Sequence, residues 1–363
     1  MPKNAIKSLV CTLGRIFMSG DGHLPMNPKK VLIFKIGAIG DVMMTTPLVR
    51  ALRKRFPKAK LDYLVGKWSA SIIEKNKNLD EMITFDDTIF FRRKKRELLR
   101  LAKEIRKRYY DLIIVLDRSW LVNIYARLFS APTIGFDRDG EGFANNVSVL
   151  YDDEKHDIEY YLDIARRLKC KKETQKMDLF LDKKAIAFAD MIWKKHRLAG
   201  KSVVCIIPGG GSNPGQTVDL KRWPIGKYAL LAEEIIKSRK TIILLGGESD
   251  TALKKHFRHL PKDKVIDLIG KCDINESASV MARCSTVICN DSGPMHIASA
   301  VTKRVIAIFG PTDPVKLGPL GKKDIVLKKD IPCRPCYHDG IFTDCKHHQC
   351  MRWITVDEVL KHV

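Results

Sequence analysis

The segment at residues 286–318 constrains the fold most, because it reads as a strand, a turn, a helix and a second strand without interruption. Residues 286–289 have the apolar, β-branched character of a buried parallel strand. Turn-forming residues follow at 290–293, and Pro294 suits the first turn of the predicted helix. Residues 305–309 form the returning strand. This βαβ unit predicts a parallel sheet, and the ligands of such open sheets bind at the carboxyl ends of the strands.

The start of this helix is a candidate site for a phosphorylated ligand. Backbone amides of the first turn lack partners within a helix, and the helix dipole adds partial positive charge there. Either Asp291 or Ser292 could cap the helix, and a second loop at 310–314 leaves the same edge of the sheet. The segment therefore favours the binding of a pyrophosphate group.

Strand and helix patterns alternate along the rest of the chain in two series, which predicts an α/β protein with parallel sheets. The first series opens with an apolar strand at 30–35 and a glycine-rich turn at 36–41. The second opens with a strand at 201–207, which ends in the glycine-rich loop 208–212. The first turn reads G-x-x-G-D rather than G-x-G-x-x-G, so a dinucleotide site is not expected there.

The length and composition of the chain agree with two domains. A chain of 363 residues with 45% hydrophobic residues can bury two cores. We predict an N-terminal amphipathic basic segment, a Rossmann-like domain, a linker, a second Rossmann-like domain, and a cysteine-rich segment with a C-terminal helix, at residues 1–28, 29–182, 183–200, 201–330 and 331–363, respectively.

The chain is strongly basic, with a formal net charge of +23, which indicates an anionic partner such as nucleic acid, a membrane surface, or a phosphorylated sugar or lipid. A basic helix predicted at 92–108 could present either a solvated face or a patch for phosphorylated lipid. The apolar stripe of residues 1–28 could pack on the fold, lie on an anionic leaflet, or belong to a cleaved signal. No apolar run reaches the ~20 residues of a membrane-spanning helix, which excludes an integral membrane protein.

Four motifs resemble those of glycosyltransferase family 9, the ADP-heptose:lipopolysaccharide heptosyltransferases. They are GDVMMTTP at 40–47, KRWP at 221–224, DSGPMHIA at 291–298 and FGPTDP at 309–314. The resemblance extends over nearly the whole chain. It implies the GT-B fold, in which two Rossmann-like domains with parallel sheets face each other across a cleft, and it implies sugar transfer from a nucleotide-sugar donor.

The resemblance also assigns roles to individual residues. Asp41 would be the catalytic base that takes a proton from the acceptor hydroxyl, although an aspartate at this position could instead cap a helix. Lys221 would neutralise the departing diphosphate, although lone lysines ordinarily lie on the surface. Glu248 would contact the nucleoside, with a helix cap as its alternative role. The residues expected to contact the donor are Thr217, Lys221, Glu248, Asp291, Ser292, Gly293 and His296.

Neither a catalytic metal nor another cofactor is expected, because the second half of the chain has no Asp-x-Asp pair at a strand end. A single base predicts inversion at the anomeric carbon. Four of the ten cysteines cluster near the C-terminus and begin with a C-x-x-C motif: Cys333, Cys336, Cys345 and Cys350. They could bind a structural zinc ion, remain free thiols or form disulfides.

The sequence thus predicts an inverting transferase that moves heptose from ADP-heptose to the lipid A-Kdo inner core of lipopolysaccharide. Its partners would be the nucleotide-sugar donor, the anionic core acceptor and the inner-leaflet surface, which places it in the cytoplasm at the inner face of the cytoplasmic membrane. Another GT-B nucleotide-sugar enzyme, such as one with a different donor or an epimerase, is the alternative. A basic nucleic-acid-binding protein is less well supported, because no RNP-type or helix-turn-helix pattern is present.

Overall fold

The computed structural model describes residues 10–14, 22–213, 216–338, 341–342 and 344–363. Internal contacts divide the chain into two compact units. The first unit comprises Met1–Ala38 and Met44–Gln175, and the second comprises Ile39–Met43 and Lys176–Val363. Each unit contains one six-stranded sheet in which all paired neighbours run parallel.

The first sheet has the strand order β3-β2-β1-β4-β5-β6. Its strands are β1 (Lys30–Lys35), β2 (Lys60–Gly66), β3 (Glu81–Phe85), β4 (Leu112–Val115), β5 (Thr133–Asp137) and β6 (Val147–Leu150). The helices of this half of the chain are α1 (Ile39–Met44), α2 (Thr46–Arg55), α3 (Thr88–Phe91), α4 (Lys95–Arg106), α5 (Trp120–Arg127) and α6 (Asp157–Arg167), and a 3₁₀ helix spans Lys67–Ile72.

The strand β1 is buried on both faces, as expected for a central strand of a parallel sheet. Leu32 and Phe34 project into one core, where Val115 of the neighbouring strand β4 joins them. Val31 and Ile33 point to the opposite face and are also fully buried. The near-continuous apolar run in the sequence is therefore explained by helices that cover both faces of the sheet.

The second sheet has the order β11-β10-β7-β12-β13-β14. The strands of this half are β7 (Val203–Ile207), β8 (Ser212–Asn213), β9 (Gln216–Thr217), β10 (Thr241–Leu244), β11 (Val265–Asp267), β12 (Thr286–Asn290), β13 (Val305–Ile308), β14 (Ile325–Leu327), β15 (Tyr337–His338) and β16 (Ile341–Phe342). The helices are α7 (Lys183–Lys195), α8 (Ile225–Lys237), α9 (Ile274–Met281), α10 (Gly293–Val301), α11 (Pro314–Leu317), α12 (Gln349–Arg352) and α13 (Val356–Leu360), with 3₁₀ helices at Asp219–Lys221 and Glu248–Phe257.

The two sheets share one topology. Counted from the first strand of each unit, both follow the order 3-2-1-4-5-6 of a doubly wound α/β fold. The order reverses between β1 and β4 in the first sheet, and between β7 and β12 in the second. Ligands of such folds bind outside the carboxyl ends of the strands at this point. The prediction of two Rossmann-like units is confirmed.

The predicted linker at 183–200 instead contains helix α7. Ala185, Ala189 and Ile192 are buried, and the helix packs against α9 of the second unit. The division between the units falls at 175–176, before the predicted end of the first domain at residue 182. The apolar stripe of α7 explains the difference, because it gives this stretch a core to join.

The C-terminal segment predicted at 331–363 is likewise part of the second unit. Ile354 and Val359 are buried in the same core as Trp223 and Tyr228. The predicted C-terminal helix is present as α13, which packs against α8.

Part of the predicted amphipathic segment at 1–28 packs on the first unit. Cys11 is 4% exposed and lies in a small cluster with Phe143 and Ala144, which favours the packing interpretation for residues 10–14. The remainder of the apolar stripe lies outside the described residues. None of the helices in the described part of the chain combines the length and apolar character that crossing a membrane requires.

Candidate functional site

Asn290, the last residue of β12, organises the point where the strand order of the second sheet reverses. The side chain is 1% exposed. Its Nδ2 donates to the carbonyl oxygens of Pro208 at 3.1 Å and Gly209 at 3.0 Å. Its Oδ1 accepts from the backbone N–H of Trp223 at 2.9 Å and the hydroxyl of Tyr228 at 3.0 Å. One buried amide therefore joins the glycine loop after β7 to the segment that follows Lys221.

The glycine loop after β7 lies too close to its neighbours to accept side chains. Gly210 has a φ of +92°, and a Cβ there would lie 2.6 Å from Oγ of Ser292. A Cβ on Gly209 would lie 2.1 Å from Oδ1 of Asp250. Glycine is therefore required at both positions, at Gly210 by backbone conformation as well as by space. Ser292, at the start of α10, lies beside this loop.

Lys221 and Asp291, both predicted to contact the donor, form a buried ion pair. Nζ of Lys221 lies 2.8 Å from Oδ2 of Asp291, and the two side chains are 17% and 3% exposed. Thr312 donates its hydroxyl to the same oxygen at 2.6 Å. The ammonium also lies 5.5 Å from the ring centroid of Tyr337, within cation–π range.

Burial and pairing act in opposite directions on these two charges. Burial by itself favours the neutral forms, so it lowers the pKa of Lys221 and raises that of Asp291. The attraction within the pair outweighs burial. As a result the pKa of Lys221 lies above its ordinary value and the pKa of Asp291 lies below its ordinary value. Both groups are charged at neutral pH.

Asp41, the predicted base, lies in the electrostatic environment of Lys221. It is half-buried in the first turn of α1, and the segment Ile39–Met43 belongs to the second unit. Its negative charge helps to raise the pKa of Lys221, after the larger effects of Asp291 and Tyr337. The alternative role as an N-cap does not fit, because the helix begins at Ile39. The charge of the predicted base therefore acts on the predicted phosphate-binding lysine.

His296 and Gly293 of α10 pack against the start of α1 inside the second unit. His296 is 4% exposed, and a Cβ on Gly40 would lie 2.5 Å from its Cδ2. A Cβ on Gly293 would lie 2.8 Å from Cγ2 of Ile39. The two glycines allow the turn that carries Asp41 to approach the helix that carries His296.

Glu248 and Thr217 are not placed at this cluster by the described contacts. Glu248 is exposed at the start of its 3₁₀ helix, and the carboxylate that caps this helix belongs to Asp250, which accepts from the N–H of Gly247 at 3.0 Å. The alternative role of Glu248 as the cap is therefore wrong. The backbone of Thr217 belongs to β9, and its side chain lies outside the described part of the structure.

Sequence reasoning missed Asn290, Thr312, Asp250 and Arg222. Arg222 donates from Nε to the carbonyl of Gly210 at 2.9 Å and so fixes the glycine loop from a second side. Asn290 and Thr312 lie inside the very segments that were singled out. Their position at the carboxyl ends of β12 and β13 was the signal that could have found them.

The four C-terminal cysteines line one cavity of about 220 Å³, together with Arg334, His347 and His348. None of the ten cysteines, all of which lie in the described part of the chain, forms a disulfide. Burial raises the pKa of Cys350 to about 11. Within the described residues, no three or more histidine, cysteine, aspartate or glutamate side chains are arranged to hold a metal ion.

Comparison with known proteins relates the chain to one family. The model of glycosyltransferase family 9 (heptosyltransferase) matches residues 98–347. Lipooligosaccharide heptosyltransferase 2 of Haemophilus ducreyi is 26% identical over 322 residues, which cover 82% of this chain and 88% of that protein. The enzyme of the same name from Campylobacter jejuni is 25% identical over 339 residues, which cover 92% of this chain and 98% of that protein.

A solved structure of Escherichia coli ADP-heptose lipopolysaccharide heptosyltransferase II is similar in fold. It has a TM-score of 0.73 and 22% sequence identity, and the match covers 92% of this chain and 97% of that one. The GT-B fold class predicted from the sequence is confirmed by this similarity and by the two doubly wound sheets. The family model spans well over half of the sequence, so the chain belongs to glycosyltransferase family 9, the heptosyltransferases.

Proposed function

We propose that this glycosyltransferase moves a heptose from ADP-heptose to the inner core of lipopolysaccharide, the lipid A-Kdo acceptor, with inversion at the anomeric carbon. The relatives named above are heptosyltransferases of lipooligosaccharide, which supports this donor and acceptor class. The protein would act in the cytoplasm at the inner face of the cytoplasmic membrane, where a lipid-linked acceptor is accessible.

One observation carries the proposal: Asp41, Lys221 and Asp291 share one electrostatic environment in the second unit. A transferase needs a carboxylate that can accept a proton and a cation that can stabilise a diphosphate. Asp41 supplies the first and Lys221 the second. Asp291 keeps Lys221 protonated and oriented, so that the cation is in place before the donor binds.

The reaction then follows as one displacement. The acceptor oxygen forms a bond to the anomeric carbon while the bond from that carbon to the diphosphate oxygen breaks. Asp41 takes the proton of the acceptor hydroxyl. ADP leaves with the bonding electron pair, and Lys221 with the amides near Gly293 stabilises the charge that develops on its phosphate. Thr217, Glu248, Ser292 and His296 are proposed to complete the donor site, and no metal or cofactor takes part.

Release of nucleoside diphosphate from a panel of nucleotide sugars, with truncated core lipids as acceptors, tests the substrates. We expect release from ADP-heptose only when a lipid A-Kdo acceptor is present. Acceptor-dependent release from a different nucleotide sugar, or conversion of the donor without any acceptor, would replace the proposed reaction by another one.

Two substitutions test the residue roles. Asp41→Ala should lower kcat about 10³-fold and leave donor affinity unchanged, because the base acts on the acceptor. Lys221→Ala should lower kcat about 10²-fold and also weaken donor binding. Asp190→Ala and Lys237→Ala are matched controls, because both side chains lie exposed on helices of the second unit. A fully active Asp41→Ala enzyme would remove the base assignment.

A further inference from the structure

One flank of helix α4 carries exposed basic residues around an exposed leucine. Lys95, Leu99, Lys103 and Arg106 follow one another at spacings of three or four residues, so they lie along one side of the helix, and Arg96 borders them. All five are exposed, and Leu99 exposes 55% of its side chain. These five residues are called the α4 flank below.

The apolar side of α4 anchors the helix on the first unit, so the helix does not need the α4 flank to pack. Leu101, Ala102 and Ile105 are buried in the core of the first unit. The flank is therefore not needed to anchor the helix, and its composition can serve another purpose.

The charge of the α4 flank is not neutralised within the described part of the chain. Residues 92–108 contain ten basic and two acidic side chains. Glu97 and Glu104 lie on the other exposed side of the helix, at 100° of rotation per residue, and Glu104 pairs with Arg100 at 3.2 Å. Among the described residues, none of the four cations of the flank has an acidic partner. Like charges at this spacing repel one another, so the arrangement costs stability unless an anion binds.

A second apolar side chain precedes the helix. Phe91, at the end of α3, is 57% exposed and is followed by the exposed Arg92 and Arg93. A purely solvated face would gain nothing from exposed leucine and phenylalanine. A nucleic acid backbone would attract the cations but would offer no apolar phase to either side chain. A bilayer surface offers both, since its headgroups are anionic and its acyl boundary is apolar.

We propose that the α4 flank docks the protein on an anionic phospholipid bilayer. Leu99 and Phe91 enter the boundary between headgroups and acyl chains, and the surrounding lysine and arginine side chains contact lipid phosphates. The proposal rests on charge and exposure in the first unit and not on the proposed reaction. It predicts binding that weakens as salt is added, because screening shortens the range of the attraction.

Co-sedimentation of the full chain with vesicles tests the proposal. The wild-type protein should bind vesicles that contain phosphatidylglycerol and should bind phosphatidylcholine vesicles weakly. Arg96→Glu/Lys103→Glu/Arg106→Glu should lower the partition coefficient at least 100-fold, since each cation contributes roughly fivefold. Leu99→Ser should lower it about tenfold, because the apolar contact is lost while the charge remains.

The matched control is Lys255→Glu/Arg258→Glu/Lys262→Glu, which makes the same change in net charge on exposed residues of the second unit. Its partition coefficient should lie within about twofold of the wild-type value, since every cation of the α4 flank remains in place. An equal loss in the control would mean that net charge alone drives binding and would overturn the proposal. The proposal would also be overturned if duplex nucleic acid displaced the protein from vesicles and if the α4 triple variant lost its binding to nucleic acid.

An activity assay separates this proposal from the proposed reaction. With a soluble, deacylated acceptor, the α4 triple variant should turn over at the wild-type rate. With an acceptor embedded in vesicles, it should lose activity. If the wild-type protein transferred sugar to neither acceptor, the proposed reaction would be refuted. The docking proposal would then be decided by the co-sedimentation experiment alone. Near-wild-type circular dichroism and Tm of the triple variant are expected, because all three side chains are exposed.

Discussion

Lys221 and Asp291 occupy a largely buried site, where each charge is stabilised by the other. Removal of an ion from water costs several kcal/mol, and a close partner of opposite sign recovers most of that cost. Thr312 supplies a further hydrogen bond to the carboxylate. The same balance prepares the lysine for a ligand, because the carboxylate of Asp291 holds its ammonium in one place.

The substitution Asp291→Asn keeps the shape of the side chain and removes its charge. We expect it to lower the free energy of unfolding by about 3 kcal/mol, because the ammonium of Lys221 remains buried without its main partner. Thr312→Val is the control, with an expected loss of about 1 kcal/mol for one hydrogen bond. Urea unfolding at neutral pH measures both values. Equal small losses would contradict a dominant role for the charge.

The pH dependence of this difference has a defined sign. The ionised Asp291 contributes fully to the free energy of unfolding above its ordinary pKa of 3.8. This contribution is lost as the pH falls through the lowered pKa of Asp291 in the folded protein. The protonated Lys221 contributes fully to the free energy of unfolding below its ordinary pKa of 10.5. This contribution is lost as the pH rises through the raised pKa of Lys221 in the folded protein. The stability gap between wild type and Asp291→Asn should therefore be constant between about pH 5 and pH 9 and should narrow outside this range.

Asn290 is expected to matter more than its size suggests. Asn290→Ala leaves two carbonyls and the N–H of Trp223 without the partners they have in the folded protein. We expect a loss of about 3 kcal/mol in stability and a higher KM for the donor, because the glycine loop is no longer tied to the segment after Lys221. Tyr228→Phe removes one of the four hydrogen bonds and should cost about 1 kcal/mol with KM unchanged. If both variants raised KM equally, the bonds from Asn290 to Pro208 and Gly209 would not be what positions the glycine loop.

At the scale of elements, the loop after β7 is positioned by close packing. Gly210 combines a positive φ with contact to Ser292, and Arg222 holds its carbonyl oxygen. The segment that supplies Arg222 is itself anchored through Trp223, whose Nε1 donates to the carbonyl of Ile354 at 3.1 Å. The C-terminal segment therefore supports the donor site indirectly, through the tryptophan that follows Lys221 and Arg222.

Two glycine substitutions test whether this loop depends on close packing at Gly210. Gly210→Ala should lower stability by about 2 kcal/mol and weaken ADP binding, because Cβ would meet Ser292 and the backbone would be strained. Gly226→Ala, in the first turn of α8, meets no atom within 4 Å. It should be neutral or stabilising by about 0.5 kcal/mol, since alanine favours the helix. Thermal unfolding and ADP titration by calorimetry measure both effects, and an unaffected Gly210→Ala protein would show that the loop can move aside.

At the scale of the whole molecule, the sequence predicted the two parallel sheets because their strands are near-continuous apolar runs. It also assigned Lys221, Asp291 and Asp41 to one reaction, through motifs that precede or follow those strands, and the structure pairs Lys221 with Asp291. It could not predict that Asn290 bonds to Pro208 and Gly209, because those residues are distant in the chain and meet only when β12 lies beside β7. The same reason hid Asp250.

The ten thiols are distributed unevenly over the molecule, and their burial sets their reactivity. Cys205 and Cys289 are fully buried in central strands. Burial raises the pKa of Cys170, Cys272 and Cys350 to about 11 in each case. Cys333 is exposed in the C-terminal cluster. The reactive species is the thiolate, so both access and pKa decide the rate of alkylation.

Iodoacetamide at pH 8 should therefore label Cys333 first. Cys170, Cys272 and Cys350 should react more slowly, since a pKa near 11 leaves about 100-fold less thiolate than the ordinary pKa of 9.0. Cys205 and Cys289 should be labelled only after unfolding in urea. Peptide mass spectrometry follows each position, and the unfolded protein is the control. Joint protection of all four C-terminal cysteines until a chelator is added would contradict free thiols and indicate zinc, whereas protection until a reductant is added would indicate disulfides.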